Sequence, residues 1–207
     1  EFSFELAPGE SRILRTLDKR AMIAGATTPA KAVNTRHART VTVTAPWSLT
    51  FIEGGPTLPK AVANTTPGSW TKLPLAGIDE FSGTARYATR FHLDALPTTC
   101  LLDLGKVAHT ARVSVNGQPA GTSWCPPHRI DISRLVATGD NRLEVEVTNL
   151  AANRIRYMDQ NKLPWKIMRD SNVVNINYRP FDASAWPLAP SGLLGPVTLT
   201  PLKTVQP

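Results

Sequence analysis

Long apolar runs are missing from this chain of 207 residues. None approaches the ~20 residues that a bilayer-spanning helix needs, so no such helix and no membrane partner is expected. Histidine is scarce: His37, His92, His109 and His128 show no H-x-x-x-H spacing and have no C-x-x-C companion, so no zinc site is expected. No G-x-S-x-G turn is present to expose a nucleophilic serine. Neither Gly-Leu-Leu-Gly nor Gly-Gly-Pro matches a phosphate-cradling loop. Internal repeats and low-complexity tracts are absent as well. Cysteine occurs only as Cys100 and Cys125, and two readings stay open: a pair joined in an oxidising compartment, or Cys100 as a small buried hydrophobe opening a strand. The chain begins Glu1-Phe2-Ser3-Phe4, without an initiator Met or the basic-then-apolar build of a signal peptide, and reads as a mature form or a piece of a longer chain.

What is present is ordinary in bulk, with 42% apolar and 19% charged residues. Eighteen prolines favour loops over long helices. The formal charge of +7 raises the question of nucleic acid, yet the basic residues interleave with acids throughout, and the densest cluster is only Arg36-His37-Ala38-Arg39. A solvated surface is the ordinary reading; an acidic polysaccharide or acidic partner domain is the functional one, and no nucleic-acid partner is expected.

The stretch 84–150 sets the fold class. Phe91 and Leu93, then Ala111, Val113 and Val115, then Leu143, Val145 and Val147 fall at period 2, with Arg90, His92, Arg112, Ser114, Glu144 and Glu146 between them. Each segment buries one row and wets the other, the pattern of an antiparallel sandwich. Asn116-Gly117 is the strongest hairpin signal, because both residues accept the positive φ of a type I′ turn. Further strands are expected around Val41 and Val43, over Trp47 to Phe51, and over residues 197–202. Residues 53–68 and 180–196 read as loops, 131–135 as a single helical turn, and 151–159 as one short helix. At the front, residues 1–17 look like a hairpin closing a preceding β domain, 18–38 like a linker, and 39–207 like the sandwich itself.

Carboxylates and aromatics carry the candidate chemistry. Glycosidic hydrolysis needs two carboxylates about 5–10 Å apart, and Glu144 and Glu146 on one strand face stand about 6.8 Å apart at the rise of a strand. Both lie on the polar row, where solvated carboxylates are the default. Asp103 and Asp131 adjoin turns, where Asp usually binds the local backbone. Trp124, Trp165 and Trp186 lie in loops or beside prolines, with Tyr178 near Trp186 in sequence and Asn149, Asn153, Arg154 and Arg156 clustered at a strand end. Sugar rings stack on aromatic faces and their hydroxyls bond Asn and Arg, so these residues could line a carbohydrate site. The alternative is that the tryptophans cover the ends of the sandwich, which the W-C-P-P setting of Trp124 favours.

The series F-S-G-T-A-x-Y (81–87), L-D-L-G-K-V (102–107), V-x-V-N-G (113–117), W-x-P-P-x-R-I-D-I (124–132) and G-D-N-R-L-E-V-E-V-T-N (139–149) resembles the sugar-binding-type, galactose-binding-like jelly-roll domain of glycoside hydrolase family 2 enzymes. N-R-I-R (153–156), P-W-K-I-M-R-D (164–170), V-N-I-N-Y-R-P-F-D-A-S (174–184) and P-S-G-L-L-G-P-V-T-L-T-P (190–201) resemble more specifically the C-terminal region of family 106 α-L-rhamnosidases. The resemblance implies an accessory jelly-roll β-sandwich of a larger periplasmic or extracellular enzyme that removes L-rhamnose from glycans. Its partners would be the catalytic domain and a rhamnose-containing glycan. No catalytic residue carries over, since no part of the chain resembles the catalytic barrel. No cofactor is implied, and a structural Ca²⁺ is left open. Glycan contacts are expected from Arg154, Trp165, Tyr178 and Trp186. Two rivals stand beside this reading: an autonomous carbohydrate-binding module, and a complete small glycosidase.

Overall fold

A computed structural model of the chain describes residues 40–166 and 180–202. Among these residues the elements are β1 (Val41–Thr42), β2 (Trp47–Gly55), β3 (Val62–Thr65), β4 (Ser82–Leu93), β5 (Thr99–Asp103), β6 (Lys106–Ala108), β7 (Thr110–Val115), β8 (Gln118–Ser123), β9 (Arg129–Asp131), β10 (Gly139–Thr148), α1 (Ala152–Gln160), β11 (Gly192–Gly195) and β12 (Thr198–Leu202). A six-stranded sheet runs in the order β3-β2-β4-β10-β7-β8, a four-stranded sheet in the order β1-β12-β5-β9, and β11 pairs with β6. All of these strand pairings are antiparallel. The result is the antiparallel β-sandwich that the alternating rows imply, in keeping with the jelly roll that the resemblance implies.

The core lies where those rows meet. Phe91, Leu93, Ala111, Val113, Val115, Leu143, Val145 and Val147 are all buried, and they join Cys100, Leu102 and Leu199 of the four-stranded sheet in one cluster. Arg90, His92 and Arg112 face out, as the period requires. One end of the core is aromatic: Phe51 meets Trp70 and Phe81 edge-on at 5.7 and 5.0 Å between ring centroids, and Trp47 meets Tyr87 at 6.4 Å. Strand β11 lies against this end so closely that a Cβ on Gly192 would stand 2.3 Å from the Tyr87 hydroxyl and 2.8 Å from the Trp70 ring. With φ at +110°, that position admits only glycine.

Polar anchors fix the strand ends. Asn116 and Gly117 take φ of 51° and 78°, the turn expected between β7 and β8. The Asn116 amide donates to Asn141 Oδ1 at 2.8 Å and to the Leu135 carbonyl at 2.9 Å. The buried Asn141 in turn bonds the backbone of Ala137 in both directions at 2.7 Å, which closes the approach to β10.

Several sequence expectations need correction. Residues 53–68 are not all loop: β2 continues to Gly55 and Val62–Thr65 pairs back onto it as the sheet edge. Likewise 180–196 contains β11, held by Lys106–Ala108 and invisible to pattern reading because a four-residue strand with a glycine at each end has no alternation. Residues 131–135 form a turn closed by the Leu135 N–H donating to the Ile132 carbonyl at 2.9 Å, not a helical turn. Of the two readings left open for the cysteines the structure takes the second and corrects nothing: Cys100 is free and buried, Cys125 free and exposed, and burial pushes the Cys100 thiol up to about 11. The short helix is present as α1, one residue later than expected. The expected hairpin at 1–17, the linker at 18–38 and Tyr178 lie outside the described residues.

Because Leu143 is wholly buried at the centre of the six-stranded sheet, Leu143→Ala should lower unfolding free energy by about 2–5 kcal/mol. Glu144→Gln, on the opposite face, should change it by less than about 0.5 kcal/mol. Urea denaturation followed by tryptophan fluorescence measures both.

Candidate functional site

The segment after β10 begins with a buried amide. Asn149 Oδ1 accepts the Gly83 N–H at 2.9 Å, and its Nδ2 donates to the Phe81 carbonyl at 3.2 Å and to Ser191 Oγ at 3.1 Å. One helical turn on, Asn153 exchanges two 2.8 Å bonds with the Ala189 backbone. Both asparagines are buried and spent on structure, so they are not the free sugar-binding amides that their sequence cluster suggested. They dock α1 and the 180–191 segment onto the sandwich.

The far end of α1 carries a second anchor. Asp159 Oδ2 accepts the Ala183 N–H at 2.7 Å, while its Oδ1 takes the Trp165 indole N–H at 2.7 Å and the Lys166 ammonium at 3.0 Å. Partial burial pushes this carboxyl up, but the Ala183, Trp165 and Lys166 donors outweigh burial and hold it below the usual carboxylate range. Around the anchor three rings pack edge to face: Trp165 with Phe181 at 6.0 Å and Phe181 with Trp186 at 5.5 Å. Lys166 Nζ lies 5.3 Å from the Trp165 centroid and 5.8 Å from that of Phe181, and it donates to the Phe181 carbonyl at 2.6 Å. Arg156 holds the Trp186 carbonyl at 2.8 Å.

The expected contacts therefore divide. Trp165 and Trp186 come together on either side of Phe181, a residue that the sequence reading did not single out. Trp186 is 41% exposed and offers ring surface, whereas one face of Trp165 is occupied by a cation. Arg154 stands apart in an ion pair with Glu80, with Tyr157 5.8 Å away. Asp159 and Lys166 were also missed; the only trace in sequence is an acid on the helix six residues before a tryptophan. Trp124 does not cover the sandwich, since it is 74% exposed.

The carboxylates considered for catalysis are all engaged. Glu146 accepts two bonds from Arg86, at 3.0 and 2.7 Å, and lies 3.6 Å from Arg112; Glu144 accepts Arg142 at 2.9 Å. Asp103 accepts the Gly105 N–H and Arg129 at 2.8 and 2.7 Å, and Asp131 caps Ser133, the local backbone roles expected of them. Among the described residues no three His, Cys, Asp or Glu side chains converge as a metal set. No described helix is long and apolar enough to cross a membrane.

Comparison with known proteins shows where such a domain occurs. No family model matches the chain. A rhamnosidase structure from Novosphingobium sp. PP1Y is 33% identical with a TM-score of 0.61, over 79% of this chain and 15% of its own. A Formosa agariphila protein named "Putative beta-glucuronidase" is 37% identical over 156 residues, 65% of this chain and 13% of its own length. This is a glycoside-hydrolase-related β-sandwich domain. A GH2 beta-galacturonidase structure from Eisenbergiella tayi, at 20% identity and a TM-score of 0.51 over 80% of this chain and 24% of its own, shares the fold. The chain thus spans less than a quarter of the length of each of these proteins.

The depressed Asp159 carboxyl predicts how the cluster responds to acid. Its stabilising contribution is complete above the usual carboxylate range, near pH 4, and is lost as the pH falls through the lower value that the folded state imposes. Tryptophan fluorescence should therefore show a step below about pH 4 that disappears in Asp159→Asn.

Proposed function

We propose that this chain is the accessory sandwich of a family 106 α-L-rhamnosidase-type glycoside hydrolase. It has no catalytic centre of its own, packs against the catalytic domain of an exported enzyme, and touches rhamnose-containing glycan through the cluster after β10. One observation carries the reading: a rhamnosidase structure matches 79% of this chain at 33% identity, yet this chain covers only 15% of that enzyme. The engaged state of Glu144 and Glu146 supports it, because a carboxylate locked to a guanidinium on an open sheet face is poorly placed to shuttle a proton or attack an anomeric carbon. The exposed ring of Trp186, fixed by Phe181 and Arg156, supplies an apolar face for the C–H side of a sugar, and Trp165, Tyr178 and Arg154 complete the proposed contact set.

The 207-residue chain should give no turnover of an aryl α-L-rhamnoside. It should bind a rhamnose-containing oligosaccharide in a calorimetric titration, with Trp186→Ala weakening binding about two- to tenfold, the worth of one aromatic contact. Turnover that Glu144→Gln abolishes would establish the complete-glycosidase reading instead. Binding that survives unchanged in Trp186→Ala would remove the proposed cluster from glycan contact.

A further inference from the structure

The register of β4 and β10 sets Arg90 directly opposite Arg142. Opposed residues on antiparallel neighbours have Cβ atoms about 4.5–5.5 Å apart, and like charges in that position repel. Both arginines point to the solvent face, because their neighbours Phe91, Asn141 and Leu143 are buried. Elsewhere on this face positive charge is matched by negative: Arg86 and Arg112 flank Glu146, and His92 bonds Asp140 at 2.8 Å. At the Arg90–Arg142 rung only one of the two charges is matched. Arg142 reaches Glu144 at 2.9 Å, while Arg90 has no ion pair or hydrogen bond to a described residue.

The same rung borders a recess of about 500 Å³, inside the range of ligand pockets, ~300–1,000 Å³. Small residues make the room: Ala45, Ala63 and Ala88 line it together with Ser48 and Asn64. The unpaired guanidinium of Arg90, with the Glu144-bound Arg142 across from it and a hydroxyl and an amide beside it, forms a receptor for a carboxylate carried on a hydroxylated frame. Guanidinium engages carboxylate through paired N–H donors, and Ser and Asn satisfy ring hydroxyls. A bound carboxylate would also relieve the repulsion that the bare rung carries.

We propose that the recess between Arg90 and Arg142 binds the carboxylate of a uronic acid unit in an acidic glycan. This surface shares no lining residue with the Trp165–Phe181–Trp186 cluster and stands whether or not that cluster binds rhamnose.

The test is a calorimetric titration of the 207-residue chain with trigalacturonate, its methyl ester, and sodium acetate. Trigalacturonate should bind, with affinity falling as salt rises; the ester should bind at least about tenfold more weakly. Arg90→Gln and Arg142→Gln should each cost about tenfold, the worth of one charge-assisted pair. Arg112→Gln, on the same sheet face but outside the recess, should leave the affinity within about twofold. Without ligand, Arg90→Gln should raise Tm by removing the repulsion, a readout showing that the variant is folded. Equal binding of acid and ester, no loss in either arginine variant, or no binding of trigalacturonate at all would overturn the proposal. Acetate competing as well as trigalacturonate would reduce the recess to a simple-anion site and overturn the uronate assignment.

Discussion

The pairing of β4 with β10 is the constraint on which the rest of this domain depends. It runs from Gly139 opposite Leu93 to Thr148 opposite Thr84, at the centre of the six-stranded sheet. Side chains alternate along each strand, so this one register decides both faces. It sends Ala85, Tyr87, Phe91, Leu143, Val145 and Val147 into the core, and a slip of one residue would turn every one of them to water. It also decides which charges meet outside: Arg86 beside Glu146, His92 beside Asp140, and Arg90 beside Arg142. The first two juxtapositions pair opposite groups; the third sets like charges together with Glu144 answering only Arg142, which makes it the chemically informative one.

Where the pairing ends, a different kind of cohesion takes over. Beyond Thr148, side-chain amides and a carboxylate bond the backbone of the segment that follows α1. Asn149, Asn153 and Ser191 join β10, α1 and the approach to β11 in one buried network, and Asp159 repeats the device at the other end of the helix. Gly192 then lays β11 on Trp70 and Tyr87. The irregular segment is thereby a built part of the sandwich, and its aromatic cluster stands on a fixed support. Such support is what a binding surface needs, since a ring already ordered loses little further freedom when a ligand meets it.

The two surfaces differ in the ligand chemistry they suit. The cluster after β10 offers ring area with a cation held over one face; the sheet face offers guanidinium groups above small residues. The two chemistries are those of a polysaccharide, which presents apolar ring faces and, in acidic polymers, carboxylates. The sandwich that carries both surfaces matches portions of much longer glycosidases.

Sequence alone determined the class of fold, most central strands, the Asn116-Gly117 hairpin and the short helix, because each follows from local periodicity or from the φ a turn demands. It also brought out Trp165 and Trp186 as loop aromatics, and Asp103 and Asp131 as turn acids. Tertiary structure decided what no local pattern encodes: that β3 and β11 are strands, since pairing partners and not their own residues make them so. It decided that Asn149 and Asn153 are consumed as anchors, that Phe181 and Asp159 organise the tryptophans, and that Trp124 stands free. Above all it set Arg90 against Arg142, residues 52 positions apart that only a strand register can bring face to face.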